Sequence, residues 1–152
     1  MARYHFHDRQ VLPVSVAELF NFLIQPTNLE QIMAKAMQVK VLSSSTPVIE
    51  QGTVIDYTFR KNGIPLRWQS QITEFEPNVY FADLQTKGPF RYWLHKHILK
   101  PVAGGTEITD DLTFEPPLGI LGEIAYHAFI RRDMERIFTL RKKRMEELFG
   151  QI

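Results

Sequence analysis

His95 and His97 are the two side chains of this 152-residue sequence best placed for chemistry, because a single residue separates them. On an extended strand alternate residues share a face, so both imidazoles would project the same way. Imidazole exchanges protons near neutral pH and also ligates metals. Asp110 is the natural third member. Its same-parity neighbours Ile108, Leu112 and Phe114 are apolar, whereas Glu107, Thr109, Asp111 and Thr113 form a polar face. Asp110 is therefore expected to point inward, where an unpaired carboxylate costs several kcal/mol or takes up a proton.

A partner follows if the Val102–Gly105 turn has an even number of loop residues. Asp110 then shares a face with Trp93, His95 and His97. A four-residue loop sets Asp110 opposite His97, and a two-residue shift in register sets it opposite His95. An odd loop breaks the pairing. Lys96 on the other parity favours inward histidines, while Tyr92, Leu94 and Ile98 speak against them. Asp83 and Gln85 share the parity of Phe81, against the more apolar Tyr80, Ala82 and Leu84, a weaker form of the same signal.

Four roles are open to such a set. It could orient the oxygen atoms of a ligand, or fix the sheet register as a satisfied polar network. It could also run acid–base chemistry on an enolisable ligand, with His95 or His97 held by Asp110. A metal site would need the two histidines plus Asp110 as third ligand. His-x-His is common in strands, and we expect neither metal nor cofactor. His5 and His7 also share a parity, but are expected to face solvent.

The elements that must position these residues read as strand, two short helices, about six strands and one long helix. Tyr4 to Pro13 reads as a strand. Ser15 is a candidate N-cap for a helix with Val16, Phe20, Leu23 and Ile24 as its stripe. Pro26 ends it, and residues 28–33 read as a second short helix. Met37 to Leu42 alternates. After Gly52, Thr53, Ile55, Tyr57 and Phe59 share one face. Lys61-Asn62-Gly63 supplies hairpin chemistry. Leu66, Trp68, Ser70 and Ile72 face one way on the next strand, and strands follow over 78–85, 90–100 and 106–114. Beyond Pro116-Pro117, Ile120, Ile124, Ile130, Met134, Ile137, Phe138, Met145 and Leu148 form a slowly drifting helical face. Gly119 and Gly122 before it suit either a mobile entrance or a simple change of direction. Short hairpins favour an antiparallel sheet, and the long helix is the large element able to cover it.

Composition narrows the function. Net charge is +1, so no global field would draw in a nucleic acid. The absence of cysteine excludes disulfides, thiolate nucleophiles and Cys-type zinc sites. The first eight residues lack a signal-peptide core, and no apolar run reaches membrane-spanning length, so the expectation is a cytoplasmic protein without stable membrane insertion. Arg141-Lys142-Lys143-Arg144 is the densest basic run. It reads as a solvated helix face complementing the helix dipole, with anionic lipid or nucleic acid as the rival reading. Gly104-Gly105 lies in a hairpin and is no phosphate cradle.

An ordered set of motifs carries a resemblance: Phe81-x-Asp83-x-Gln85, Gly88-Pro89-Phe90, Trp93-x-His95-x-His97, Gly104-Gly105-Thr106, Asp110 and Pro117-Leu118-Gly119. Pro13, Phe20, Asn28-Leu29, Trp68 and Ile72 fit it too. The chain resembles the START-like (SRPBCC) superfamily, which includes polyketide cyclase/dehydrase-like and coenzyme Q-binding proteins. The resemblance implies an α+β helix-grip fold: a curved seven-stranded antiparallel sheet around a long C-terminal helix, with two short helices after the first strand. It implies one ligand-binding domain over residues 1–152, and brings no metal. The expected function is non-covalent binding, for transport or sequestration, of a hydrophobic lipid, isoprenoid or polyketide-like compound. Alternatives are a cyclase/dehydratase-like enzyme and an interaction module without a pocket. The expected cavity residues are Tyr57, Phe59, Trp68, Phe81, Asp83, Gln85, Trp93, His95, His97, Asp110, Leu112 and Phe114. Fold alone does not choose among these functions, and the oligomeric state stays open.

Overall fold

The structure, a computed structural model, describes residues 3–33, 37–61 and 63–151. Seven strands form one antiparallel sheet in the order β1-β7-β6-β5-β4-β3-β2. They are β1 (Tyr4–Leu12), β2 (Lys40–Ser44), β3 (Val54–Lys61), β4 (Ile64–Glu76), β5 (Tyr80–Lys87), β6 (Tyr92–Val102) and β7 (Gly105–Glu115). The order is a meander from β2 to β7, closed by β1 pairing back onto β7.

Ser15 caps helix α1 (Val16–Leu23) as its sequence context predicts: its Oγ accepts from Glu18 N at 3.2 Å. A 3₁₀ turn over Pro26–Asn28 leads into the one-turn helix α2 (Leu29–Ile32). The expected strand over Met37–Leu42 begins only at Lys40, and the Asn62 of the expected hairpin turn lies outside the described residues.

Alternation decides what the sheet buries. Trp68, Ser70 and Ile72 are buried on one face of β4, and Ile108, Asp110, Leu112 and Phe114 on one face of β7. A register shift between Ile72 and Glu74 then lets Phe75 join Ile72 and Phe81 in the same core cluster. That cluster holds Leu12, Leu19, Phe20 and Met145 as well. A second cluster joins Leu112 and Phe114 to Met134 and Phe138, with Phe90, Trp93, Tyr126 and Ile130 packed against it.

The C-terminal helical stretch runs as α3 (Gly119–Ala125), a π turn over Tyr126–Ile130, and α4 (Arg131–Phe149). Tyr126, Ile130, Met134 and Phe138 all reach the second cluster, four residues apart each time. An unbroken helix of 3.6 residues per turn would rotate such a row off the sheet; the π turn absorbs the surplus. The expected apolar face needs one correction here. Met134, Phe138 and Met145 are buried, but Ile120 and Ile124 are 76% and 60% exposed. The sheet side of this segment is already filled by Tyr126, which stacks on Tyr4 at 3.6 Å.

Candidate functional site

Val102 pairs with Gly105, which puts Asp110 opposite His97, the register expected for an even loop. Phe81 lies opposite His97 and Asp83 opposite His95 across β5 and β6. Three neighbouring strands therefore project Asp83, His95, His97 and Asp110 into one space beneath α4.

The contacts are short. His95 Nε2 is 2.8 Å from Asp110 Oδ1, and His97 Nε2 is 2.7 Å from Asp83 Oδ2. The two imidazoles stack at 3.8 Å, and Phe81 stacks on the other side of His97 at 4.4 Å. A fifth side chain arrives from the helix: Arg141 Nη1 donates to Asp110 Oδ1 at 2.7 Å. His97 Nδ1 lies 3.5 Å from the same Asp110 oxygen, and it is buried without an aligned hydrogen bond among the described residues.

Burial and charge set the protonation states. Burial alone would raise the Asp110 pKa, but the Arg141 charge and the histidine hydrogen bonds overcome it and hold it well below the usual carboxylate value. Asp83 behaves alike: burial opposes its charge, and the His97 contact outweighs burial, leaving its pKa lowered. His95 is lowered, first by burial and then by the neighbouring His97 charge. His97 is raised, because its contacts with Asp110 and Asp83 exceed the burial penalty. Near neutral pH both carboxylates are thus charged beside the Arg141 guanidinium, and of the two imidazoles His97 holds a proton more tightly than His95. Asp110, a carboxylate, can only accept. Neutral His95 therefore carries its proton on Nε2 and keeps a lone pair on Nδ1.

Arg141 is the residue that the sequence reading missed. It is 7% exposed, not part of a solvated face. Of the same run, Lys142 pairs with Asp8 at 3.3 Å and Arg144 donates to Gln31 O at 2.7 Å; Lys143 is exposed. Met134, Phe138, Arg141 and Met145 form the buried row of α4. An arginine in register with that row was the available signal.

Around the network, Trp68 meets Trp93 edge-on at 5.0 Å and Phe59 at 5.8 Å, and Trp93 lies 5.7 Å from Phe114. Phe59, Trp68, Phe81, Leu112 and Phe114 are buried core, whereas Tyr57, Gln85 and Trp93 are half-buried. Burial raises the Tyr57 phenol pKa, and the Asp83 charge adds to it. Gln85 works locally: its amide spans the Phe90 backbone, donating to the carbonyl at 2.7 Å and accepting from the N–H at 3.1 Å. His5 and His7 face solvent, as expected.

A cavity of about 10 Å³ lies between Asp110, Arg141, Phe138 and β1, room for about one water. A larger open groove of about 410 Å³ lies at the β2 edge beside Pro26 and Leu42, apart from the network. Asp83, His95 and His97 together could offer a metal three ligand atoms within 4.8 Å of one another. The fit is poor. His97 and Asp83 already spend their facing atoms on each other, and the Arg141 guanidinium close by repels a cation.

The family described as "Polyketide cyclase / dehydrase and lipid transport" matches residues 12–137, and the chain belongs to it. Its helix-grip architecture is that of the START-like superfamily. Solved structures agree on the fold. A protein of Chromobacterium violaceum is similar with a TM-score of 0.77 at 12% identity, over 97% of this chain and 98% of that one. The di-domain ARO/CYC StfQ of the steffimycin biosynthetic pathway is similar with a TM-score of 0.72 at 12% identity, over 95% of this chain and 50% of that one. A norcoclaurine synthase of Thalictrum flavum, bound to a transition-state analogue, gives 0.69 at 12% identity, over 96% of each chain. No curated protein matches the sequence.

Proposed function

We propose that this domain binds a hydrophobic small molecule between sheet and C-terminal helix, with the His95/Asp110 side of the buried network orienting a ligand hydroxyl. One observation carries the reading. Asp83, His95 and His97 sit on the inward face of central strands, yet their side chains keep 18%, 12% and 12% of their exposure. A charged polar group that keeps some exposure beside an aromatic wall has the usual composition of a small-molecule site. The His95 Nδ1 lone pair has no partner among the described residues and suits a ligand O–H. The cavity at Asp110 holds about one water, so a lipid, isoprenoid or polyketide-like ligand needs Phe138 and its neighbours to move aside. Family membership supports a ligand of this class.

A second reading, a cyclase/dehydratase-like enzyme, is favoured by the paired histidines. Two imidazoles stacked at 3.8 Å, one with its pKa lowered and the other with it raised, suit a base beside an acid. Native mass spectrometry of the protein purified from its source separates the two. A co-purifying apolar compound, reduced in His95→Gln, is expected for the binder. Turnover of a polyketide abolished in His95→Gln or His97→Gln would establish the enzyme. Failure to bind any apolar probe dye would sink both and leave an interaction module.

A further inference from the structure

The outer face of the segment from Leu118 to Phe129 is apolar and uncovered. Leu118, Ile120, Leu121, Ile124 and Phe129 are between 60% and 76% exposed. These are not stray core residues. The opposite side of the same segment already packs on the second core cluster through Tyr126 and Ile130. Leu118 adopts φ 69, a conformation costly for leucine, and its side chain is 74% exposed. The β3–β4 hairpin meets the start of α4, next to this segment. Lys61 forms an ion pair with Asp133 in the first turn of α4, which fastens the hairpin tip to the helix. Ile64, paired with Lys61 across that hairpin, is 63% exposed. An apolar group of this extent marks an interaction surface.

Charge selects the partner. Residues 60–67 and 118–136 hold six arginines and lysines against three acids, although the whole chain is only +1. Two of those acids are engaged, Asp133 by Lys61 and Glu135 by Arg131. Arg132 and Arg136 are exposed and have no carboxylate partner among the described residues. A symmetric contact with a second copy would set two positive rims against each other. An anionic bilayer answers both features: acyl chains take the apolar side chains and headgroups take the arginines. No helix among the described residues is long and apolar enough to cross a membrane, so contact is peripheral.

We propose that this end of the molecule, the Leu118–Phe129 face with the β3–β4 hairpin tip, docks on anionic lipid membranes. The surface stands whether or not a ligand binds inside. Co-sedimentation with vesicles of phosphatidylcholine, alone or with about 30% phosphatidylserine, tests it. Binding is expected on the anionic vesicles, weakened by salt. The variants Ile120→Ser/Ile124→Ser and Arg132→Gln/Arg136→Gln should each bind about tenfold more weakly, with unchanged thermal midpoints because these positions are exposed. Absence of binding to either vesicle overturns the proposal. So does equal binding to both that the arginine variant leaves intact. A solution dimer that Ile120→Ser/Ile124→Ser converts to monomer also overturns it, in favour of a self-contact.

Discussion

Removing the Arg141 guanidinium would strand Asp110 between two imidazoles in a site largely closed to water. The two side chains are 9% and 8% exposed, so their attraction is little screened. Arg141→Met should cost about 3 kcal/mol in denaturant unfolding, because the buried carboxylate loses the charge that chiefly offsets its burial. The same variant should raise the His95 pKa, since a nearby positive charge is lost while Asp110 stays hydrogen-bonded to the ring; NMR titration of the ring protons reads this. Asp110→Asn should lower both stability and ligand affinity. If both are unchanged, Asp110 is no part of a buried site. At this scale the sequence was legible in part. Parity exposed Asp110 and the histidine pair, and their even-loop register followed. Arg141 stayed hidden because a basic run at a helix end normally lies in solvent, and only the packing of α4 on β7 shows otherwise.

Two glycines near the start of the C-terminal helix do different work. Gly119 has φ 54 and open space where a Cβ would go. At Gly122 a Cβ would stand 2.0 Å from the Pro117 carbonyl oxygen. Gly119→Ala should therefore lower stability by about 1 kcal/mol through backbone strain alone. Gly122→Ala should cost about 2 kcal/mol or more by forcing the helix start off the Pro116-Pro117 turn. Thermal unfolding of the two variants side by side checks the ranking. Periodicity found this helix but misassigned Ile120 and Ile124. It cannot register a π turn, which shifts the phase of the buried face by a residue and leaves those side chains outside.

For the whole molecule, the network should give stability a maximum near pH 6.5, the ordinary histidine value. His97 is raised in the folded state, so its contribution is complete below 6.5 and is lost as pH climbs through its folded pKa. His95 is lowered, so the unfolded chain binds its proton first and stability falls as pH drops below 6.5. Asp83 and Asp110 extend that acid limb. Their contribution is present above 3.8 and disappears as pH falls towards their depressed values. Urea midpoints across pH should trace this curve, and His97→Gln should flatten its alkaline limb. By itself the sequence determined the alternating strands, the capped first helix, the long amphipathic helix and the family, because strand parity, helix period and motif spacing are local properties. The tertiary structure decided which carboxylate each histidine meets, that Arg141 offsets the charge of Asp110, and that the stretch from Leu118 to Phe129 keeps apolar side chains on its outer face. Those depend on how elements distant in the chain pack together, and no window of sequence contains that packing.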